Sequence, residues 1–187
     1  MKKSLFSFAA VAAMIFCSAL PTSAQNFYEY MVAAQNGDAN AMYNVARMFN
    51  SEGDTAEGRS WMIKAANSGS VDAQVVLAYI CQYEGNHKKA VYWMSKAAEQ
   101  GDAEAEYELG AMYDEGLGVK KDKKKAVQLW TKAAEKDYGA ALVELAYYYE
   151  RRDPQRARKL AERALGHAKL TDLQEVNAKV LLQMLNK

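Results

Sequence analysis

The stretch GDAEAEYELGAMYDEGLGVKKDKKKAVQLWTKAAEKD, Gly101 to Asp137, decides the fold, because the chain repeats its two-block pattern on either side. The first blocks read NGDANAMYNVARMFNSEG, SGSVDAQVVLAYICQYEG, QGDAEAEYELGAMYDEG and KDYGAALVELAYYYERR. Each is followed by a second block: GRSWMIKAANSG, AVYWMSKAAEQG, AVQLWTKAAEKD and ARKLAERALGH. The corresponding residues Gly37, Gly69, Gly101 and Asp137 are spaced 32, 32 and 36 apart. A period of that size fits a pair of short helices per repeat.

The helical reading rests on spacing. In the first blocks the columns Ala41/Ala73/Ala105/Ala141, Val45/Leu77/Leu109/Leu145 and Phe49/Cys81/Tyr113/Tyr149 stand four residues apart, one apolar stripe per helix. One residue after the Leu column come Ala46, Ala78, Gly110 and Ala146, small enough to admit a neighbouring helix. The second blocks carry wide apolar faces, such as Ala90, Trp93, Met94, Ala97 and Ala98, or Ala126, Leu129, Trp130, Ala133 and Ala134. Asp54, Asp122 and Asp153 are candidate caps for the second helices. Phe27–Asn36 matches the tail of a second helix, so it reads as half a repeat. Thr171 and Gln174 form a capping box opening a last helix, whose apolar stripe would be Leu173, Val176, Val180, Leu181, Met184 and Leu185. No repeat buries its apolar face alone, so the fold class expected is all-α, a solenoid of stacked hairpins.

The third repeat closely resembles the Sel1-like repeat, a relative of the tetratricopeptide repeat. The matching residues are Ala105, Leu109, Gly110, Tyr113, Gly116, Gly118, Val119, Asp122, Lys125, Ala126, Lys132, Ala133 and Ala134. The resemblance runs from about Gly37 to Leu165 and implies a right-handed α-solenoid that binds protein or peptide partners. The first two repeats lack the Gly-Leu-Gly-Val insertion, and the fourth has Arg151-Arg152-Asp153-Pro154 in its place, so their inter-helix turns should be tighter. The organisation expected is a leader over 1–24, a half repeat over 26–36, repeats over about 37–68, 69–100, 101–136 and 137–168, and a capping helix over 171–186.

Lys2 and Lys3, the apolar run Leu5–Leu20 and the small-residue site Thr22-Ser23-Ala24 read as a signal peptide cleaved after Ala24. A periplasmic or secreted location follows. Cys17 lies in the apolar run without a lipoprotein box. Cys81, the only cysteine of the processed chain, fits a small buried apolar residue of the core column, and it excludes a disulfide-stapled scaffold. An oxidation-sensitive thiol is the functional alternative for it.

Catalytic chemistry finds no foothold. His87 and His167 are eighty residues apart, and no zinc-ligand spacing occurs. Gly116-Leu117-Gly118 lacks the Gly-Lys-Ser/Thr of a phosphate loop and reads as a turn. Glu104, Glu106 and Glu108 alternate along one helix and do not all share a face. We therefore expect no catalytic residue, metal or cofactor. The lysine run Lys120–Lys125 reads as a solvated turn, and the leader argues against nucleic acid as a partner; no segment past the leader is apolar enough to span a membrane. Charge divides unevenly: Gln25–Leu117 holds six basic and fourteen acidic residues, Gly118–Lys187 sixteen basic and nine acidic. Such polarity would serve a bipolar partner or a salt-sensitive head-to-tail self-association.

Opposite each first-helix core stripe lies the face that, by resemblance to tetratricopeptide-like solenoids, lines the concave wall. The candidate partner-binding residues there are Tyr43, Arg47, Asp72, Tyr79, Tyr83, Glu104, Tyr107, Asp114, Tyr147 and Arg151. Tyrosines are strong interface anchors, and the carboxylates favour a ligand bearing Lys or Arg. Tyr113, Tyr149, Trp61, Trp93 and Trp130 read as packing residues. The function expected is a non-catalytic adaptor, scaffold or regulator. The alternatives are a secreted host-directed factor and a β-lactam-binding or hydrolysing protein, as associated with some cysteine-rich Sel1-like proteins; this chain lacks their cysteine pairs.

Overall fold

The computed structural model describes residues 22–167 and 169–185, which form ten helices and no strand. They are α1 (Thr22–Gln35), α2 (Ala39–Ser51), α3 (Thr55–Asn67), α4 (Val71–Tyr83), α5 (His87–Glu99), α6 (Ala103–Glu115), α7 (Lys123–Glu135), α8 (Gly139–Tyr149), α9 (Pro154–His167) and α10 (Asp172–Leu185). The repeats are thus the helix pairs α2–α3, α4–α5, α6–α7 and α8–α9, and the fold class is the all-α repeat that the periodicity predicts. The expected leader lies outside the described residues as far as residue 21, and Thr22–Ala24 open α1.

Side-chain caps start most helices. Asp54, Asp122 and Asp153 accept from the amides of Glu57, Lys125 and Arg156, as their positions suggest. Asp38 and Asp102 cap the first helices α2 and α6 in the same way, and Asn86 caps α5. At α10 the capping box closes in both directions between Thr171 and Gln174. Each cap satisfies an amide with no partner inside its own helix, typically worth about 1 kcal/mol.

The chain falls into two compact units, one ending at Ala73 and one beginning at Gln74. In the first, Ala34, Ala41 and Val45 form a buried cluster against which Phe27, Met31, Phe49 and Trp61 pack. Phe27 and Phe49 meet edge to face with ring centroids 5.6 Å apart. In the second, Ala126, Trp130, Ala133, Ala134, Ala141, Leu142, Leu145 and Ala164 form the main core. All four members of the Ala and Leu columns are buried, as is Cys81, while Phe49, Tyr113 and Tyr149 are partly buried.

The small-residue column matters most at Gly110. A Cβ there would stand 2.6 Å from the Trp130 ring, so the indole fills the space a side chain would need. The Trp130 indole N–H in turn donates to the Tyr107 carbonyl at 3.2 Å. The turn reading of Gly116–Val119 also holds. Gly118 has φ of +71°, and a Cβ on it would come within 2.4 Å of the His87 backbone, so a close backbone approach occupies what resembled a phosphate loop.

One expectation needs correcting. The apolar residues of α10 do not form a single stripe. Leu181 and Ala178 are buried and Leu185 partly so, but Leu173, Val176, Val180 and Met184 are 69%, 54%, 44% and 50% exposed. At about 100° per residue the second set lies roughly a third of a turn from the first, so a helix resting on α8 and α9 covers only one set.

Candidate partner-binding wall

In the second unit, α4, α6 and α8 supply the residues of the expected wall. The Tyr79 hydroxyl on α4 donates to Glu104 Oε1 on α6 at 2.6 Å. Glu108 lies one turn further along α6, on the same side, whereas Glu106 turns away into the core, where Lys136 Nζ meets its carboxylate at 2.6 Å. The three glutamates therefore do not share a face. Tyr107 packs its ring on that of Tyr138, the residue that immediately precedes α8, with centroids 5.4 Å apart and planes inclined at 41°. Asp114, at the end of α6, pairs with Lys123 Nζ at 2.9 Å, and that ammonium also lies 4.6 Å from the Trp130 ring centroid.

The electrostatics of this cluster are strained in one direction. Burial pushes the Glu108 carboxyl above the usual carboxylate range, and the Glu104 and Glu115 charges push it further; the Tyr79 hydroxyl partly offsets them. Burial also raises Glu144 on α8, with Lys123 pulling the other way. The phenols are driven more firmly neutral. Burial, then neighbouring glutamates, raise Tyr107 and Tyr138 to about 12, and Tyr79 rises through burial and its bond to Glu104. The wall is thus a set of neutral phenols beside carboxyls that burial holds above their usual range.

The other candidates are placed differently. Tyr83 is 95% exposed at the end of α4, and Arg151 sits in the exposed turn after α8. The Tyr147 hydroxyl donates to the Asn177 carbonyl at 3.1 Å, so this ring is tied to α10. Tyr43, Arg47 and Asp72 belong to the first unit, where the Arg47 guanidinium lies 5.8 Å from the Tyr43 ring centroid and Asp72 is exposed. Three residues of the cluster were not among the candidates: Glu108, Glu144 and Tyr138. Glu108 and Glu144 stand immediately before the Leu column, at the flank rather than the back of the helix. Their recurrence 36 residues apart is the signal that could have marked them.

Among the described residues no three His, Cys, Asp or Glu side chains are grouped to hold a metal, and no helix is long and apolar enough to cross a membrane. The cluster joins a phenol to a carboxylate at Tyr79 and Glu104. What its geometry offers is recognition: rings to pack against and carboxylates to receive a cation.

The Sel1 repeat model matches residues 39–70, 71–102, 103–138 and 139–165, well over half of the chain. The chain therefore belongs to the Sel1 repeat family. Among solved structures it is similar to c5321, described as a protective antigen of uropathogenic Escherichia coli with an SLR fold (31% identity, TM-score 0.67, 86% of this chain and 40% of that one). It is also similar to a Sel1 repeat protein from Oxalobacter formigenes, with 24% identity, TM-score 0.68 and coverage of 86% and 77%. A Sel1 repeat protein from Klebsiella pneumoniae shares 24% identity with TM-score 0.56, over 84% of this chain and 81% of that one. The present chain thus spans less than half of the E. coli protein's length. No curated protein matches it at a significant level. Family and fold together define a helical repeat protein of the kind that mediates protein–protein interaction.

Proposed function

We propose that this protein is a non-catalytic adaptor or regulator, exported to the periplasm or beyond, that holds a partner segment bearing lysine or arginine against the Tyr79–Tyr107–Tyr138 wall. The observation that carries this reading is Tyr79 bonded to Glu104 beside Glu108, whose carboxyl burial and neighbouring charges hold above its usual range. A cation from a partner relieves that repulsion, while the rings supply apolar contact at low entropic cost. Binding then carries a pH signature. Glu108 and Glu144 must be ionised to attract the cation, so affinity rises as pH climbs through their elevated range and fades below it.

To test this, Tyr79, Tyr83 and Tyr107 are replaced by alanine and the variant is crosslinked in cells beside the wild type. Loss of captured partners with the circular dichroism unchanged is the result expected. Unchanged capture by a folded variant overturns the wall as the site. Export is read separately: the leader's charge and apolar run support it, and intact-mass analysis of protein from the envelope should give a chain beginning at Gln25.

A further inference from the structure

We propose that α10 is a docking face for a second copy of this chain, whose α1 lies along it and completes a helix hairpin. The exposed set on α10, Leu173, Val176, Val180 and Met184, recurs at intervals of three and four residues and forms one stripe beside the stripe already buried. Two apolar stripes about a third of a turn apart are what an interior helix of a repeat array needs, one for each neighbour.

The chain itself supplies a helix of matching kind. Phe27, Met31 and Ala34 of α1 face the core of the first unit. Tyr28 and Val32, one residue further round, are each 38% exposed and form a second stripe. The phases of the two helices are complementary. The ending of α1, Ala33-Ala34-Gln35-Asn36-Gly37, repeats that of the second helices, as in Ala65-Ala66-Asn67-Ser68-Gly69. Helix α10 follows the second helix α9 and packs on α8 and α9, the position of a first helix. One is a second helix and the other a first, the two halves of a repeat.

Charge points the same way. Residues 25–73 carry six acidic and three basic side chains, and residues 151–187 carry four acidic and nine basic. Opposite net charges draw these unlike segments of two copies together and hold like segments apart. The contact is heterologous, pairing α10 of one copy with α1 of another, and so differs from an isologous contact of α10 with α10. A pair of helices of this length covers less than the roughly 1,200–2,000 Å² of a stable interface, so association is weak and concentration-dependent.

Sedimentation of the processed chain, Gln25–Lys187, over a range of concentrations tests this. We expect reversible association that weakens in high salt. Val176→Glu with Val180→Glu should weaken it by at least about tenfold, the loss of roughly 1.4 kcal/mol or more of apolar contact. Tyr28→Glu with Val32→Glu, on the opposite helix, should do the same if the first variant folds poorly. Mixing the two variants is the decisive arm, since each keeps one intact face: the mixture should form a dimer that does not extend. A photocrosslinker at Val180 should capture α1 peptides of an isotopically distinct copy. A chain monomeric at all concentrations, crosslinks joining α10 to α10, or no dimer from folded variants overturns the proposal. None of these outcomes bears on the tyrosine wall.

Discussion

The second and third repeats solve the same packing problem with different chemistry. Where the third has Gly110 and Trp130, the second has Ala78 and Met94, all four buried. A methyl group removed from the first helix makes room for an indole on the second. Where the second has Gln74 and Gln100, joined amide to amide at 2.8 Å, the third has Glu106 and Lys136, joined as ions at 2.6 Å. Lys136 also donates to the Gly101 carbonyl at 2.8 Å. The fourth repeat places the buried Leu142 in that column and needs no polar partner. The slots are therefore pairwise: each residue is right only beside the one it faces. Repeats of similar sequence need not be interchangeable residue by residue.

Exchanging one member of a pair should hurt, and exchanging both should repair. The largest effect is expected at Lys136→Met, which leaves the Glu106 carboxylate buried and unpaired. Because Lys136 is itself partly exposed, we expect about 2 kcal/mol in urea unfolding, below the ~3–5 kcal/mol of a fully buried broken pair. Glu106→Gln with Lys136→Gln copies the second repeat and should recover most of that loss. A Lys136→Met variant as stable as wild type would show that the ion pair is dispensable.

Gly110→Ala comes next. The new methyl group overlaps the Trp130 ring and should cost about 1–3 kcal/mol. Adding Trp130→Met, the second repeat's residue, should return stability to within about 1 kcal/mol of wild type; the indole's hydrogen bond to Tyr107 is not regained. A double variant no better than Gly110→Ala alone would break the volume-exchange reading.

The smallest effect belongs to the flank position, Val76 in the second repeat and Glu108 in the third. Glu108 has its carboxyl raised in the fold, so the native state binds the proton more tightly than the unfolded chain. Wild-type stability therefore falls as pH rises through the window above the ordinary carboxylate range. Glu108→Gln removes that loss. Its thermal midpoint should exceed wild type slightly at neutral pH, and the gap should close as pH falls well below the ordinary carboxylate range, where the carboxyl is protonated in both states. A neutral-pH midpoint below wild type would mean that the contact with Tyr79 outweighs the repulsion.

Most of the fold was legible because a repeat displays its pattern several times over. The Ala and Leu columns recur four times, so a chance alanine could not imitate the stripe. Tyr79, Glu104 and Tyr107 were reached in the same way, from their angle to that stripe. Glu108 and Glu144 were missed because the flank of a helix becomes wall or solvent only when a neighbour arrives. Tyr147 shows the reverse: its angle puts it on the wall, but α10 takes its hydroxyl.

The sequence by itself determined that the chain is helical, where its hairpins turn and which face of each helix is apolar, because these depend on spacing along one helix and on caps a few residues away. Only the tertiary structure decided that Trp130 fits because Gly110 lacks a side chain, that Glu106 is buried with Lys136, and that half of α10's apolar surface remains open. Each of these is fixed by a residue about twenty or more positions distant or by the absence of a neighbour, and no local periodicity records what a side chain will meet.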